Sequence, residues 1–280
     1  MIVAIASGKG GTGKTTFAVA LAQTMGKKAC LFDCDVEEPN AHIFLKGKLV
    51  SEKIVTLPFP VIDENRCDNC GQCADFCSYN AISCTGEKPV IYSEMCHSCG
   101  GCFRVCPNKA IHEEERRIGT IQEKQKGGIT YIQGTLDVGL PLAPPLIHAL
   151  KKTPCEAPHR LLDSPPGTSC PFIATIKDAD YIVLVTEPTP FGLHDLKLAV
   201  AAVKEIKMPF GIVINRTNAP NTQTHVFCQE ENCTLLGEIP NDRRIAEAYA
   251  KGQTLVDALP EYRDLFSKIT KKIMKNGKRK

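Results

Sequence analysis

Residues 7–16 read Ser-Gly-Lys-Gly-Gly-Thr-Gly-Lys-Thr-Thr and follow directly on the apolar run Ile2-Val3-Ala4-Ile5-Ala6. The order of strand, glycine loop and helix start is what a phosphate cradle requires, and the pattern is a P-loop. Gly8, Gly10, Gly11 and Gly13, with Thr12 among them, let successive backbone N–H groups converge on phosphate oxygens. Lys14 supplies a point charge between the terminal phosphates, and the Thr15 hydroxyl is placed to hold Mg²⁺. From Thr16 the chain continues as a helix to Met25, so its positive dipole end faces the phosphates.

A second set of reactive residues forms two four-cysteine runs, Cys67-x2-Cys70-x2-Cys73-x3-Cys77 and Cys96-x2-Cys99-x2-Cys102-x3-Cys106-Pro107. Their flanks repeat as well: Cys-Gly-Gln-Cys matches Cys-Gly-Gly-Cys, and Cys-Ser-Tyr-Asn-Ala-Ile matches Cys-Pro-Asn-Lys-Ala-Ile, so the module is duplicated. Three thiolates at two-residue intervals can wrap three corners of a cubane, while the fourth corner must be reached from elsewhere. Gly71, Gly100 and Gly101 suit a backbone that curls tightly around sulfide. The runs resemble those of bacterial two-cluster ferredoxins, in which the fourth cysteine of each run ligates the other cluster. That resemblance implies one [4Fe–4S] cluster on Cys67, Cys70, Cys73 and Cys106, and a second on Cys96, Cys99, Cys102 and Cys77. Ser78 stands where many ferredoxins carry the proline seen at Pro107. Structural zinc is the competing reading, but zinc sites usually pair two separated two-cysteine knuckles. Cys84 lies outside the pattern and reads as packing.

The elements that must position these groups can be followed along the chain. Lys28-Ala29-Cys30-Leu31-Phe32 is a buried strand ending in Asp33-Cys34-Asp35, and ligand sites of open parallel sheets lie at such carboxyl ends. His159-Arg160-Leu161-Leu162 leads in the same way to Asp163-Ser164-Pro165-Pro166-Gly167, the appearance of a Walker B strand. Further apolar runs at 129–134, 181–185 and 210–216 read as strands, with a helix over 191–206.

Lys9 narrows the class. Lys-Gly-Gly-Thr-Gly-Lys-Thr-Thr resembles the deviant P-loop of the MinD, ParA, Mrp and nitrogenase iron protein superfamily, in which the first lysine reaches across a homodimer to the partner's nucleotide. By that resemblance Asp35 orients the attacking water and Asp33 lies near the metal, the plainer alternative being that both end a strand and cap a turn. Asp163 holds the Mg²⁺ water shell and Gly167 senses the terminal phosphate. Asn215 reads the adenine base or else forms a turn, with Pro240 and Asp242 bordering the ring. The catalytic set is then Lys9, Lys14, Asp35 and Asp163. Cys170 stands at the spacing of a bridging cluster ligand in the nitrogenase iron protein, but the accompanying upstream cysteine is missing, and a small core or switch residue is the alternative. Cys228 and Cys233 could bind metal or form a redox pair, or be incidental thiols.

The fold class expected is α/β: a P-loop NTPase with a mostly parallel sheet and helices on both faces, residues 1–57 and 113–280, plus an inserted bacterial-type ferredoxin domain, residues 58–112. Hydrophobic content of 43% and charged content of 23% are ordinary for a globular protein. The net charge of +3 comes from the last ten residues, which hold six lysines and arginines and no acid, so the body is mildly acidic. With neither a signal peptide nor a spanning helix indicated, a cytoplasmic location is expected, and in that setting the 15 cysteines point to metal ligation over disulfides. Residues 265–273 form a basic amphipathic helix, suited to a membrane or acidic partner or to packing on its own domain.

The function expected from the resemblance is an ATP- and Mg²⁺-dependent switch ATPase. It would pair with itself or a paralogous ATPase and pass electrons, or iron–sulfur units, to a redox or metallocluster protein. A MinD- or ParA-like spatial organiser and an amide ligase of the cobyrinic acid diamide synthase type are the alternatives. Nucleic acid is not an expected partner.

Overall fold

Strand β1 (Ile2–Ala6) carries no alternation of polar and apolar residues because it is buried on both faces, as central parallel strands are. It lies at the middle of a nine-stranded sheet in the computed structural model, which describes residues 1–218 and 222–277. The other strands are β2 (Ala29–Asp33), β3 (Lys48–Ile62), β4 (Ile82–Ser83), β5 (Val90–Ile91), β6 (Ile111–Lys126), β7 (Ile129–Leu136), β8 (His159–Asp163), β9 (Tyr181–Thr186), β10 (Phe210–Thr217) and β11 (Thr234–Pro240). Their order is β11-β10-β9-β1-β8-β2-β7-β6-β3, with β4 and β5 forming a separate hairpin. Pairing is parallel from β11 through β7 and antiparallel in β7-β6-β3.

Helices cover both faces of the sheet, and two further short ones lie in the segment that links β3 to β6. They are α1 (Lys14–Met25), α2 (Ala41–Phe44), α3 (Gln72–Phe76), α4 (Gly101–Val105), α5 (Ala143–Lys151), α6 (Cys170–Ile176), α7 (Pro190–Glu205), α8 (Gln223–Glu230), α9 (Arg243–Ala250), α10 (Leu255–Ala258) and α11 (Arg263–Asn276). Two apolar cores result. One gathers Phe32, Ile132, Leu146 and Phe172 beneath α5, α6 and α7, and the other gathers Phe17, Leu21, Leu31 and Phe266 beneath α1 and α11. The Phe17 and Phe266 rings meet at 5.5 Å between centroids. The apolar face of α11 is therefore spent inside the fold, with Phe266, Ile269 and Ile273 fully buried, and is not available to a membrane. Residues 278–280 of the basic tail lie outside the described residues.

The bounds expected for an insert lie within elements of the structure. Positions 57/58 and 112/113 fall inside two long strands, β3 and β6, which pair continuously from Lys48↔Gln125 to Ile62↔Ile111. β7 covers β6 only from Gly119 to Lys126, so the remainder projects from the sheet as a two-stranded ribbon. The step in pairing from Val55↔Gly119 to Thr56↔Arg117 leaves Ile118 as the extra residue, a bulge at the point of departure. Ile118 is fully buried, and its carbonyl accepts from the Asp137 N–H at 2.9 Å. At the far end the Asp63 N–H donates to the Ala110 carbonyl at 2.7 Å and closes off a small unit of α3, β4, β5 and α4. Pro58 and Pro60 lie on the outermost strand, where their missing N–H groups cost the ladder least.

Candidate nucleotide cleft and cysteine cavities

The glycine loop takes the conformation that its composition requires. Gly13 has φ +84° and caps α1, and Gly11 has φ +80°. A Cβ on Gly13 would stand 2.3 Å from the Asn215 side-chain nitrogen, and one on Gly8 would stand 2.1 Å from the Asp195 carbonyl oxygen. The loop is thus pressed between β10 and α7. Asn215 fastens it: its Nδ2 donates to the Thr12 carbonyl at 2.8 Å, and its Oδ1 accepts from the Arg216 N–H. The Gly167 N–H, at φ +86°, donates to the Ser7 carbonyl at 3.1 Å and ties the loop after β8 to the P-loop.

These segments border one cleft of about 460 Å³, within the range of small-molecule sites. Lys9, Gly10, Gly11, Thr12, Gly13, Lys14, Thr15 and Thr16 form one wall, with Asp35, Asn215, Pro240 and Asp242 on the others. Lys14, buried in this wall, donates to Asp163 Oδ1 at 2.8 Å. Burial opposes the ammonium's charge, but the carboxylates of Asp163, Asp35 and Asp33 together outweigh it and raise the Lys14 pKa. The other Asp163 oxygen, Oδ2, is buried without a hydrogen-bond partner among the described residues. An orphaned carboxylate oxygen beside the phosphate cradle fits the hydrated Mg²⁺ expected there, since such an atom is costly to bury unless an ion or water satisfies it. The Thr12 Oγ1 is buried and unpartnered too.

Asp35 faces the cleft, and burial pushes its carboxyl up to about 6 against the pull of Lys14. Asp33, expected near the metal, is engaged by backbone N–H groups. Its Oδ2 accepts from the N–H groups of Asn40 at 3.0 Å and Ala41 at 2.9 Å, and its Oδ1 accepts from that of Asp35 at 3.3 Å. It folds the 34–41 loop so that Asp35 faces the cleft. Burial, reinforced by the charge of Asp163, pushes Asp33 up to about 7. Asp242 caps α9 through the Arg244 N–H and is clasped by the Arg244 guanidinium and the Tyr262 hydroxyl, so the cleft rim is braced from α9 to the chain before α11. The Lys9 carbonyl accepts from the Ser7 hydroxyl at 2.8 Å, while its ammonium has no hydrogen-bond or ion-pair partner among the described residues. Sequence reasoning missed Arg216, which lines the cleft and pairs with Glu187 at 3.1 Å; its only signal is its place directly after the strand-ending Asn215.

The cysteine runs occupy the ribbon tip, and the backbone there repeats as the sequence does. Asn69, Gly71 and Asn80 have positive φ, and so do Ser98, Gly100 and Lys109, 29 residues later. The Ala81 N–H donates to Cys77 Sγ at 3.3 Å and the Ala110 N–H to Cys106 Sγ at 3.2 Å. One small cavity is lined by Cys67, Cys70, Cys73 and Cys106, together with Cys84; another is lined by Cys77, Cys96, Cys99 and Cys102. Each thus draws three cysteines from one run and the last from the other. Among the described residues, however, no three Cys, His, Asp or Glu side chains stand in a ready coordination geometry. Burial pushes Cys102 up to about 11, so its thiol is protonated near neutrality and would have to lose that proton to any metal. The donor set fits an iron–sulfur group in the soft character and number of its sulfurs. Arg116 anchors the unit, donating to the Ser93 carbonyl at 2.8 Å and the Cys96 carbonyl at 3.4 Å with its guanidinium 4.4 Å above the Phe59 ring.

The remaining cysteines are scattered. Cys170 is exposed at the start of α6, outside the core. Cys228 is buried in the core, and its carbonyl accepts from the Cys233 N–H at 2.8 Å. Among the described residues no helix is long and apolar enough to cross a membrane.

Comparison with known proteins agrees with this geometry. Residues 3–256 match the model of the CobQ/CobB/MinD/ParA nucleotide-binding domain. An uncharacterised protein of Methanocaldococcus jannaschii is 31% identical over 95% of this chain and 93% of its own length. The iron–sulfur cluster carrier protein of the same organism is 29% identical over 42% of this chain and 47% of its own. The septum site-determining protein MinD of Pyrococcus horikoshii, solved with Mg-ADP, superposes with a TM-score of 0.58 at 21% identity, covering 97% of this chain and 95% of that one.

Proposed function

The chain belongs to the CobQ/CobB/MinD/ParA nucleotide-binding family, and from that premise we propose that it is a homodimeric switch ATPase whose nucleotide state governs electron delivery or iron–sulfur assembly on a partner protein. The observation that carries the reading is the coexistence in one chain of the Lys14–Asp163 cleft and two cavities that each gather a complete four-cysteine set. The partial similarity to an iron–sulfur carrier and the fold shared with MinD support it from two sides.

In this reading the terminal phosphates take Lys14 from Asp163. A buried ion pair broken on one side alone costs about 3–5 kcal/mol, so the incoming charge must replace the one removed. Phosphate does so for Lys14, and Thr15 and Asp163 would hold a Mg²⁺ that would do so for the carboxylate and supply charge to offset the phosphoryl oxygens. Asp35 is the group that orients the attacking water. Gly167 lies next to the P-loop, where it can register loss of the terminal phosphate, and the loops at 34–41 and 163–169 relax as it leaves. The unpaired Lys9 is free to reach a second copy's nucleotide. Two [4Fe–4S] clusters in the cysteine cavities supply one-electron chemistry.

Anaerobic purification with iron and sulfide counts, followed by EPR of the reduced protein with and without ATP, tests the proposal. About eight irons per chain are expected for two cubanes, together with an ATP-dependent change in signal or partner affinity that Lys14→Ala abolishes. Iron-free protein sinks the cluster assignment, and spectra and partner binding indifferent to ATP sink the coupling.

A further inference from the structure

The two cysteine cavities are not equivalent. The first is lined by five cysteines and the second by four. The fifth, Cys84, follows β4, and its Sγ lies 4.0 Å from that of Cys73. Its counterpart 29 residues later in the second repeat is Glu113. Both positions fold back over their own repeat's loop. A Cβ on Gly100 would stand 3.2 Å from Glu113 Oε1, while Cys84 lines the same cavity as Gly71, the matching glycine. Both repeats therefore bring this position back near the loop, but only in the first copy does the side chain line the cavity and carry sulfur. Glu113 is exposed and does not line the second cavity.

We propose that Cys84 is an alternative ligand for the corner of the first cluster held by Cys73, so that this cluster can change a thiolate without leaving its cavity while the second cannot. The inference rests on the reading of the cavities as iron–sulfur sites. Chemically it would be a ligand exchange at one iron: the Cys84 thiol would give up its proton and bond the iron, the Fe–S bond to Cys73 would break and Cys73 would take up a proton, with no change in oxidation state. Two sulfurs 4.0 Å apart are close enough for one iron to be handed between them by side-chain rotation and a small loop shift. Such a site suits a cluster that is passed on or repaired, because an incoming thiolate can displace one ligand while a tethered one stands ready.

The experiment compares full-length chains purified anaerobically: wild type, Cys73→Ala, Cys84→Ala, the double variant Cys73→Ala/Cys84→Ala, and Cys102→Ala, the position in the second cavity that matches Cys73. Iron and sulfide are counted, and native alkylation with iodoacetamide is read by mass spectrometry. Wild type, Cys84→Ala and Cys73→Ala are each expected to hold about eight irons, whereas the double variant and Cys102→Ala fall to about four. Cys84 should be alkylated in wild type and protected in Cys73→Ala, a signature that a merely packed thiol would not give. A Cys73→Ala protein that loses as much iron as the double variant, or that leaves Cys84 open to alkylation, overturns the inference while leaving the cluster reading intact. Iron-free wild type removes both. ATP binding by the separate nucleotide cleft reports whether the nucleotide domain of each variant has folded, and retention of iron by the second cavity in Cys73→Ala/Cys84→Ala reports that the tip has.

Discussion

The nucleotide cleft and the cysteine cavities are both built from backbone turns at positive φ, yet different forces hold them in shape. Around the cleft, two apolar cores press β1, α1 and α7 together until Gly8 and Gly13 have no room for a Cβ. At the ribbon tip none of residues 63–110 joins either core, and the buried apolar side chains there are Ala81, Ile82, Cys96 and Ala110 among the described residues. A unit that small cannot stabilise itself by apolar burial and needs a disulfide, a metal or a partner. All of the cysteines are free thiols. The cleft is thus preorganised before its ligand arrives, whereas under the proposed function the tip would depend on what its sulfurs bind.

The sharpest break of that contrast is metal removal. Chelation of iron under reducing conditions should make residues 63–110 cleavable by protease on the order of 100-fold faster, since local opening governs cleavage, while the thermal midpoint of the nucleotide domain stays in place. A tip equally resistant with and without iron would place its stability elsewhere. Lys14→Ala should act in the opposite region: it leaves Asp163 buried and unpaired, costing about 3–5 kcal/mol of nucleotide-domain stability, with iron content unchanged by elemental analysis. Gly13→Ala should weaken nucleotide binding by about 100-fold, which corresponds to about 2.8 kcal/mol, because a left-handed residue acquires a Cβ that meets Asn215. Isothermal titration with a non-hydrolysable ATP analogue measures it. The mildest test is Arg116→Ala, which removes two hydrogen bonds and a ring contact at the base of the tip. Destabilisation of about 1–3 kcal/mol should appear as faster hydrogen exchange at residues 93–96, with ATP affinity unaltered.

How much of this was legible in the sequence followed the same division. The P-loop and the strands β1, β2, β8 and β9 were readable because doubly buried parallel strands are continuous apolar runs, and each ends in the residues that line or brace the cleft. The long strands β3 and β6 were not. Their faces are mostly exposed, the charges of Glu113-Glu114-Glu115-Arg116-Arg117 mask alternation, and Pro58 and Pro60 read as breakers. What Asp33 does was equally hidden: a carboxylate that folds a loop and one that holds a metal are the same letter at the same strand end, and only the N–H groups of Asn40 and Ala41 distinguish them. Composition showed Cys84 to be outside the eight-cysteine pattern but not that it returns to the side of Cys73.

The ribbon has one more consequence, and it concerns how the chain is put together. Thr56 and Arg117 stand opposite each other where the strands leave the sheet, so the chain's exit to the tip and its return lie side by side. To the nucleotide domain the whole tip is the turn of a hairpin. The entropy of closing so long an excursion grows only as the logarithm of its length, and the strand pairing itself offsets it. Excision at that point, with Asn-Gly joining the two strands, should leave a sheet that still folds, and a tip of different chemistry could be carried on the same stem.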